Sequence, residues 1–262
     1  MRAALLVPVL TIACVSSHPI DPEWRRAQNG ERSFADAGLP PGPEPVPEWQ
    51  VIGRSVEGRP LRMMRVGRGA RRVLWIGGIH GDEREGSVAT AELPRTFLQV
   101  PGAAEAVTLT ILEDANPDGS AHDTRGNGNG VDLNRNYPAT NYLPGADRGT
   151  RPLDQPEAKV VYDLVLEERP HAILVAHGWR GDHFVNFDGP PEAEHLANLF
   201  AERSGFPVRP SDKITPTPGS LGSWAGRTLK MPILTLEYLR GSEPLANWID
   251  TRKAILAVVL DG

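Results

Sequence analysis

Short apolar runs that stop at chemically capable residues are what most limit the folds open to this chain. Val73–Ile76, Ala172–Ala176 and Ile233–Leu236 are too short for buried helices and suit buried strands. The first breaks at Gly77 and Gly78 into a loop carrying His80 and Glu83, the second ends at His177, and the third ends at Glu237. Further strands are expected at 49–55 and 60–66, joined by a turn over Val56, Glu57, Gly58 and Arg59, and at 106–112. Helices are expected at 87–98, with Pro94 kinking or ending it, and at 154–168, 192–203 and 245–260. The residues from Asn116 to Pro138, rich in Gly and Asn, read as a loop. Strands alternating with helices predict an α/β protein, a three-layer α/β/α sandwich around a mixed sheet. At 262 residues and 40% hydrophobic content the chain can bury one sizeable core, which we assign to a single domain over 49–262.

In a sheet whose neighbouring strands run the same way, residues at the strand ends gather along one edge. His80, Glu83, His177 and Glu237 share that placement. A histidine and a glutamate three residues apart can turn from a tight loop onto one cation, and nitrogen with oxygen ligation suits zinc. Catalytic zinc takes three protein ligands and keeps one position open, and His177 is the expected third. Taken singly, His80 with Glu83 equally describes a polar turn after a core strand, and His177 equally describes a structural hydrogen-bonder. His18, His122, His171, His183 and His195 occupy tail, loop or helix positions and read as surface or local structure.

A net charge of −5, with 28 scattered basic residues, gives no electrostatic footprint for nucleic acid. Cys14 is the single cysteine, so no intramolecular disulfide forms. It closes the run MRAALLVPVLTIAC, in which Arg2 precedes a short apolar stretch in the layout of a secretory signal. The end of that run resembles a bacterial lipobox, with Thr11 where a larger apolar residue is preferred. Residues 1–14 are therefore expected to direct export to the periplasm or to anchor a lipoprotein through lipidated Cys14. Residues 15–48, polar and ending in PPGPEPVPE, read as a semi-stiff linker.

Several motifs together resemble the zinc carboxypeptidases. They are HGDE at His80–Glu83, NPDG at Asn116–Gly119, RGNGNGVDLNRNYP at Arg125–Pro138, His177 after a strand, and TLE at Thr235–Glu237. The long Arg125–Pro138 run and TPGSLGSW at Thr217–Trp224 resemble the murein peptide amidase branch in particular. The resemblance spans 49–239 and implies that His80, Glu83 and His177 bind one zinc ion. It further implies that Arg125 faces the scissile carbonyl, that Asn134 and Arg135 grip a substrate carboxylate, and that Glu237 is the catalytic acid and base. Asp132 reads as a residue that orients Arg125, Arg135 or backbone, and Leu221 and Trp224 read as helix core. The stretch Ile214–Ser223 lacks the tyrosine of digestive carboxypeptidases, which agrees with an amidase. GWRGDHFVNFDGP after His177 matches no familiar pattern.

The expected activity is zinc-dependent hydrolysis of an amide bond near a free substrate carboxylate, in a peptide or muropeptide. The concrete candidate is the γ-D-glutamyl-diaminopimelate bond of cell-wall peptides. Alternatives are a carboxypeptidase, an N-acyl amino acid deacylase of the same fold, or a non-catalytic cell-wall binding lipoprotein. No protein partner is expected.

Overall fold

The computed structural model describes residues 45–262 except Asp212, Lys213, Thr215 and Gly262. The apolar start with Cys14 and most of the 15–48 linker lie outside the described residues. The chain enters through exposed residues 45–48 and forms β1 (Gln50–Arg54), β2 (Pro60–Val66) and β3 (Arg71–Ile76). Next come α1 (Ser87–Leu98), the short α2 (Ala103–Ala106), β4 (Val107–Leu112) and α3 (Pro117–His122). After a 3-10 turn at Leu133–Arg135 follow α4 (Pro156–Glu168), β5 (Ala172–Trp179) and β6 (Phe184–Asp188). The remainder is α5 (Pro191–Ser204), β7 (Val208–Pro210), a π-helical segment at Gly222–Thr228, β8 (Ile233–Leu239) and α6 (Pro244–Leu260).

The strands make one mixed sheet in the order β1-β2-β4-β3-β5-β8-β6-β7. Its centre is parallel, with β4, β3, β5 and β8 aligned side by side. Alternation along each strand divides the core in two. Val73 and Trp75 of β3 face a cluster with Leu93 and Phe97 of α1, Phe200 of α5 and Ile255 of α6. Leu74 and Ile76 face the other way, onto Val161 and Val165 of α4 and onto Trp224. Helices therefore cover both faces, as a buried parallel sheet requires. Proline opens α4, α5 and α6, where its fixed φ suits a first turn and its missing N–H costs no bond.

Two expectations need correction. Pro94 does not end α1, which continues to Leu98 with Pro94 buried against the core, so the contacts there outweigh one forfeited helical bond. β5 and β8 do not stop at His177 and Glu237 but run on to Trp179 and Leu239, held by continuous pairing between them. The unmatched stretch after His177 contains a strand, β6, which pairs antiparallel with β8. Its five residues, FVNFD, are too few and alternate too imperfectly to stand out in the sequence.

Candidate metal and catalytic site

The loop between β3 and α1 brings His80 and Glu83 to the carboxyl edge of the central strands, and β5 brings His177 alongside them. All three are buried. His80 Nδ1 lies 2.9 Å from Glu83 Oε2, His177 Nδ1 lies 2.9 Å from the same oxygen, and the two ring nitrogens are 3.1 Å apart. The other nitrogen of His80 donates to Asp132 Oδ1 at 3.0 Å, so Nδ1 presents its lone pair to the shared centre. The His80 Nδ1 lone pair, His177 Nδ1 and a carboxylate oxygen are gathered at one point, where a cation or proton would hold them together. Zinc–nitrogen bonds of about 2.0–2.1 Å in a tetrahedron put ligand atoms about 3.4 Å apart, close to the spacing seen. The donor set fits zinc.

The surroundings are built from the remaining motifs. Asn116 caps α3 by accepting from the Gly119 N–H at 3.0 Å, and its amide donates to the Arg125 carbonyl at 3.1 Å. Gly81 packs so tightly on this turn that an added Cβ would come within 1.9 Å of the Gly119 carbonyl carbon. Arg125 then reaches back, donating from one terminal nitrogen to Glu83 Oε1 and from Nε to Asp132 Oδ2, each at 2.9 Å. Asp132 also accepts from the Asn134 N–H at 2.9 Å, so one carboxylate orients His80, Arg125 and the 3-10 turn together. The Asn134 amide nitrogen lies 3.3 Å from His177 Nε2, while its oxygen accepts from the Leu221 N–H at 2.9 Å. Arg135 is half-buried and donates to the Asn134 carbonyl at 2.7 Å.

Glu237 sits opposite His177 in the β5–β8 register, on the same face of the sheet. Its carboxylate makes no hydrogen bond with any described residue, which leaves both oxygens to a substrate or water. Burial pushes the Glu237 carboxyl up, His177 opposes this, and Glu83 adds to it. Burial would also raise Glu83 and Asp132, but the histidines outweigh it at Glu83, and His80 with Arg125 does so at Asp132. Both carboxyls are thus held well below the usual range. His80, Glu83, His177, Arg125, Asn134 and Glu237 therefore gather at this one edge, with Arg135 next to Asn134. Leu221 and Trp224 are buried, Trp224 being stacked between Tyr137 and Tyr162. Among the described histidines outside the site, His122 and His195 pair with Glu57 and Asp261 at the surface.

Sequence reasoning missed Asp82, Arg240 and Glu85. Arg240, just past β8, pairs with Asp82, and its other terminal nitrogen stands 3.5 Å from Glu83 Oε1. The buried Glu85 accepts from the Gly241 N–H at 2.7 Å and ties the loop to the same strand end. Asp82 and Arg240 are 158 residues apart, so spacing carries no signal of their pairing.

Residues 46–192 match the zinc carboxypeptidase family. The chain belongs to that family. Murein peptide amidase A of Escherichia coli K12 is 30% identical over 225 residues, covering 79% of this chain and 86% of that protein. Gamma-D-glutamyl-L-diamino acid endopeptidase 1 of Lysinibacillus sphaericus is 24% identical over 256 residues, covering 77% and 63%. The crystal structure of murein-tripeptide amidase MpaA from Escherichia coli O157 shares the fold, with a TM-score of 0.67 at 24% identity, covering 88% and 97%. As a zinc carboxypeptidase homologue the chain is a hydrolase with zinc as its cofactor, and His80, Glu83 and His177 form a group able to hold the ion.

Proposed function

We propose that the protein hydrolyses the amide bond between γ-D-glutamate and diaminopimelate in cell-wall peptides. The observation that carries this reading is the 30% identity to murein peptide amidase A along 79% of the chain. In this reading His80, Glu83 and His177 hold zinc. When bound, the ion supplies Lewis acidity toward the scissile carbonyl and toward water. Glu237 takes the proton from the attacking water and gives it to the leaving amine, a role favoured by its unpaired, partly desolvated carboxylate. Arg125, fixed by Glu83 and Asp132, faces the oxyanion, a contribution of about 3–4 kcal/mol for one such donor. Asn134 and Arg135 grip the carboxylate of the leaving residue, for which a planar guanidinium gives a two-pronged match. We also propose that the protein is exported and tethered through Cys14, on the strength of the Arg2-to-Cys14 sequence.

The test compares γ-D-glutamyl-diaminopimelate peptides with α-linked peptides of the same composition, using zinc-loaded protein and mass spectrometry. Cleavage favouring the γ-linked peptides is expected. Cleavage of α-linked peptides alone would replace the substrate and make the protein a carboxypeptidase.

A further inference from the structure

The β1–β2 hairpin rises past the end of β4. Gln50 pairs with Met63, and Met63 with Leu112, the last residue of β4, so Arg59, Pro60 and Arg62 stand beyond the sheet edge. Between this hairpin, the HGDE loop and the first turns of α1 and α3 lies a cavity of about 540 Å³. That is within the range of about 300–1,000 Å³ typical of small-molecule sites. Trp49, Arg62, Arg84, Ser87, Asp114 and Ser120 line it, and it extends to the metal ligand Glu83. The hydrolytic chemistry of the site uses none of these residues except Glu83.

The arginines around the cavity are already committed. Arg62 grips Glu113 through Nε and a terminal nitrogen, Arg59 donates to Asp118 at 2.7 Å and pairs with Glu57, and Arg84 donates to the Ser120 carbonyl at 3.0 Å. They are poorly placed to hold a further anion, and their charge disfavours a cation beside Asp114. Asp114 accepts from the Asn116 N–H at 2.9 Å. Gly78 makes room for it: a Cβ there would come within 2.3 Å of Asp114 Oδ1, and the Gly78 φ of +64° itself favours glycine. The walls therefore offer planar hydrogen-bonding groups, the hydroxyls of Ser87 and Ser120, and the indole of half-buried Trp49. A neutral ring with several hydroxyls and an apolar C–H face complements all three. That description is of a saccharide.

We propose that this cavity binds the N-acetylated amino sugar to which cell-wall peptides are attached, so that the protein cleaves sugar-linked peptides in preference to free ones. This rests on the amidase reading. In such peptides the alanine nitrogen is joined to the sugar through a lactyl ether. From the scissile carbonyl carbon through glutamate, alanine and the lactyl group to the ring is eleven bonds, about 13 Å at roughly 1.2 Å of reach each. Gln50, Met63, Leu112 and Ile76 are successive register partners across four strands. Three strand spacings of roughly 4.8 Å set the start of β1, beside Trp49, about 14 Å from the end of β3, which leads into the ligand loop. The two spans agree, so the ring reaches Trp49 while the scissile carbonyl stays at the metal site.

The experiment measures kcat/KM for L-Ala-γ-D-Glu-meso-diaminopimelate with and without an N-acetylmuramoyl group on the alanine. Parent, Trp49→Leu and Trp49→Phe are compared, all zinc-loaded. The parent is expected to prefer the sugar-linked peptide at least tenfold, Trp49→Leu to lower that ratio at least fivefold, and Trp49→Phe, which keeps an aromatic ring, to restore part of it. A parent ratio below threefold, or one that Trp49→Leu leaves unchanged within twofold, overturns the proposal. Each ratio is taken within one protein, so a general loss of folded enzyme does not mimic the effect. Calorimetric titration with N-acetylmuramoyl-L-alanine, which has no γ-glutamyl bond, reads the sugar site without catalysis. If neither peptide is cut, the amidase reading fails and this titration decides: binding at least tenfold weaker in Trp49→Leu is expected, and equal affinity, or no binding by either protein, overturns the proposal.

Discussion

Replacing Asp132 with asparagine should weaken zinc binding although Asp132 is not one of the three ligands. The carboxylate accepts from His80 Nε2 at 3.0 Å, from Arg125 Nε at 2.9 Å and from the Asn134 N–H at 2.9 Å. Asparagine keeps one acceptor oxygen and adds two N–H donors, so it cannot serve all three, and it removes the charge that holds the proton on His80 Nε2. Hydrogen bonds to charged groups are each worth about 1.5–3 kcal/mol. The Arg125 share is discounted because that side chain is 44% exposed, which leaves the bond to buried His80 as the main loss. The expected cost is about 1.4–2.7 kcal/mol, a 10- to 100-fold weaker affinity, as is usual for a partner of a ligating histidine. Titration of the metal-free protein with zinc against a chromophoric chelator measures it. Glu57→Gln, which alters an exposed pair with His122, serves as the control and should leave the affinity unchanged. An Asp132→Asn affinity within threefold of the parent would refute the claim that this carboxylate sets the His80 tautomer.

Three further outcomes follow from the same geometry. Gly81→Ala should destabilise the protein by more than about 2 kcal/mol, because its Cβ would meet backbone at Gly119; a urea midpoint equal to the parent's would contradict this. Arg240→Met removes the clamp on Asp82 that steadies the ligand loop, and both members of that pair are partly exposed. Zinc affinity should therefore fall by less than in Asp132→Asn, about two- to tenfold, and a larger fall would reverse the assigned order of importance. Asp154 is pulled from 3.8 to about 2: burial opposes the shift, and bonds from Gln155, Asn136, Thr150 and Arg151 outweigh it. A depressed carboxyl stabilises above its unfolded pKa, so this contribution is complete above about pH 4 and fades as pH falls through about 2. Asp154→Asn should remove about 1 kcal/mol of that acid-side slope in urea melts taken across the range, after allowance for partial exposure.

Much of the fold and nearly all of the candidate site were legible because the information is local. Val73–Ile76 and the HGDE loop are contiguous, as are Arg125, Asn134 and Arg135, and the strand register that sets Glu237 beside His177 follows from two short apolar runs. What escaped is set by distance or by shape. The ends of β5 and β8 are fixed by pairing with each other, not by composition, and β6 takes its identity from the β8 edge it completes. Asp132 was expected to orient Arg125, Arg135 or backbone, and it binds Arg125 and the Asn134 N–H, but its bond to His80 spans 52 residues. Asp188 falls in the stretch that matches no familiar pattern, and the glycines that leave it room, Gly222 and Gly226, are distant in sequence.

The most direct test of the account is the rate of diaminopimelate release from L-Ala-γ-D-Glu-meso-diaminopimelate by the parent and by Glu237→Gln, each verified to carry one zinc. The account predicts release by the parent and a loss of at least about 100-fold in the variant with zinc retained, the usual reach of a general acid and base. Equal rates in the two proteins, or no release by a parent that holds its zinc, would contradict it.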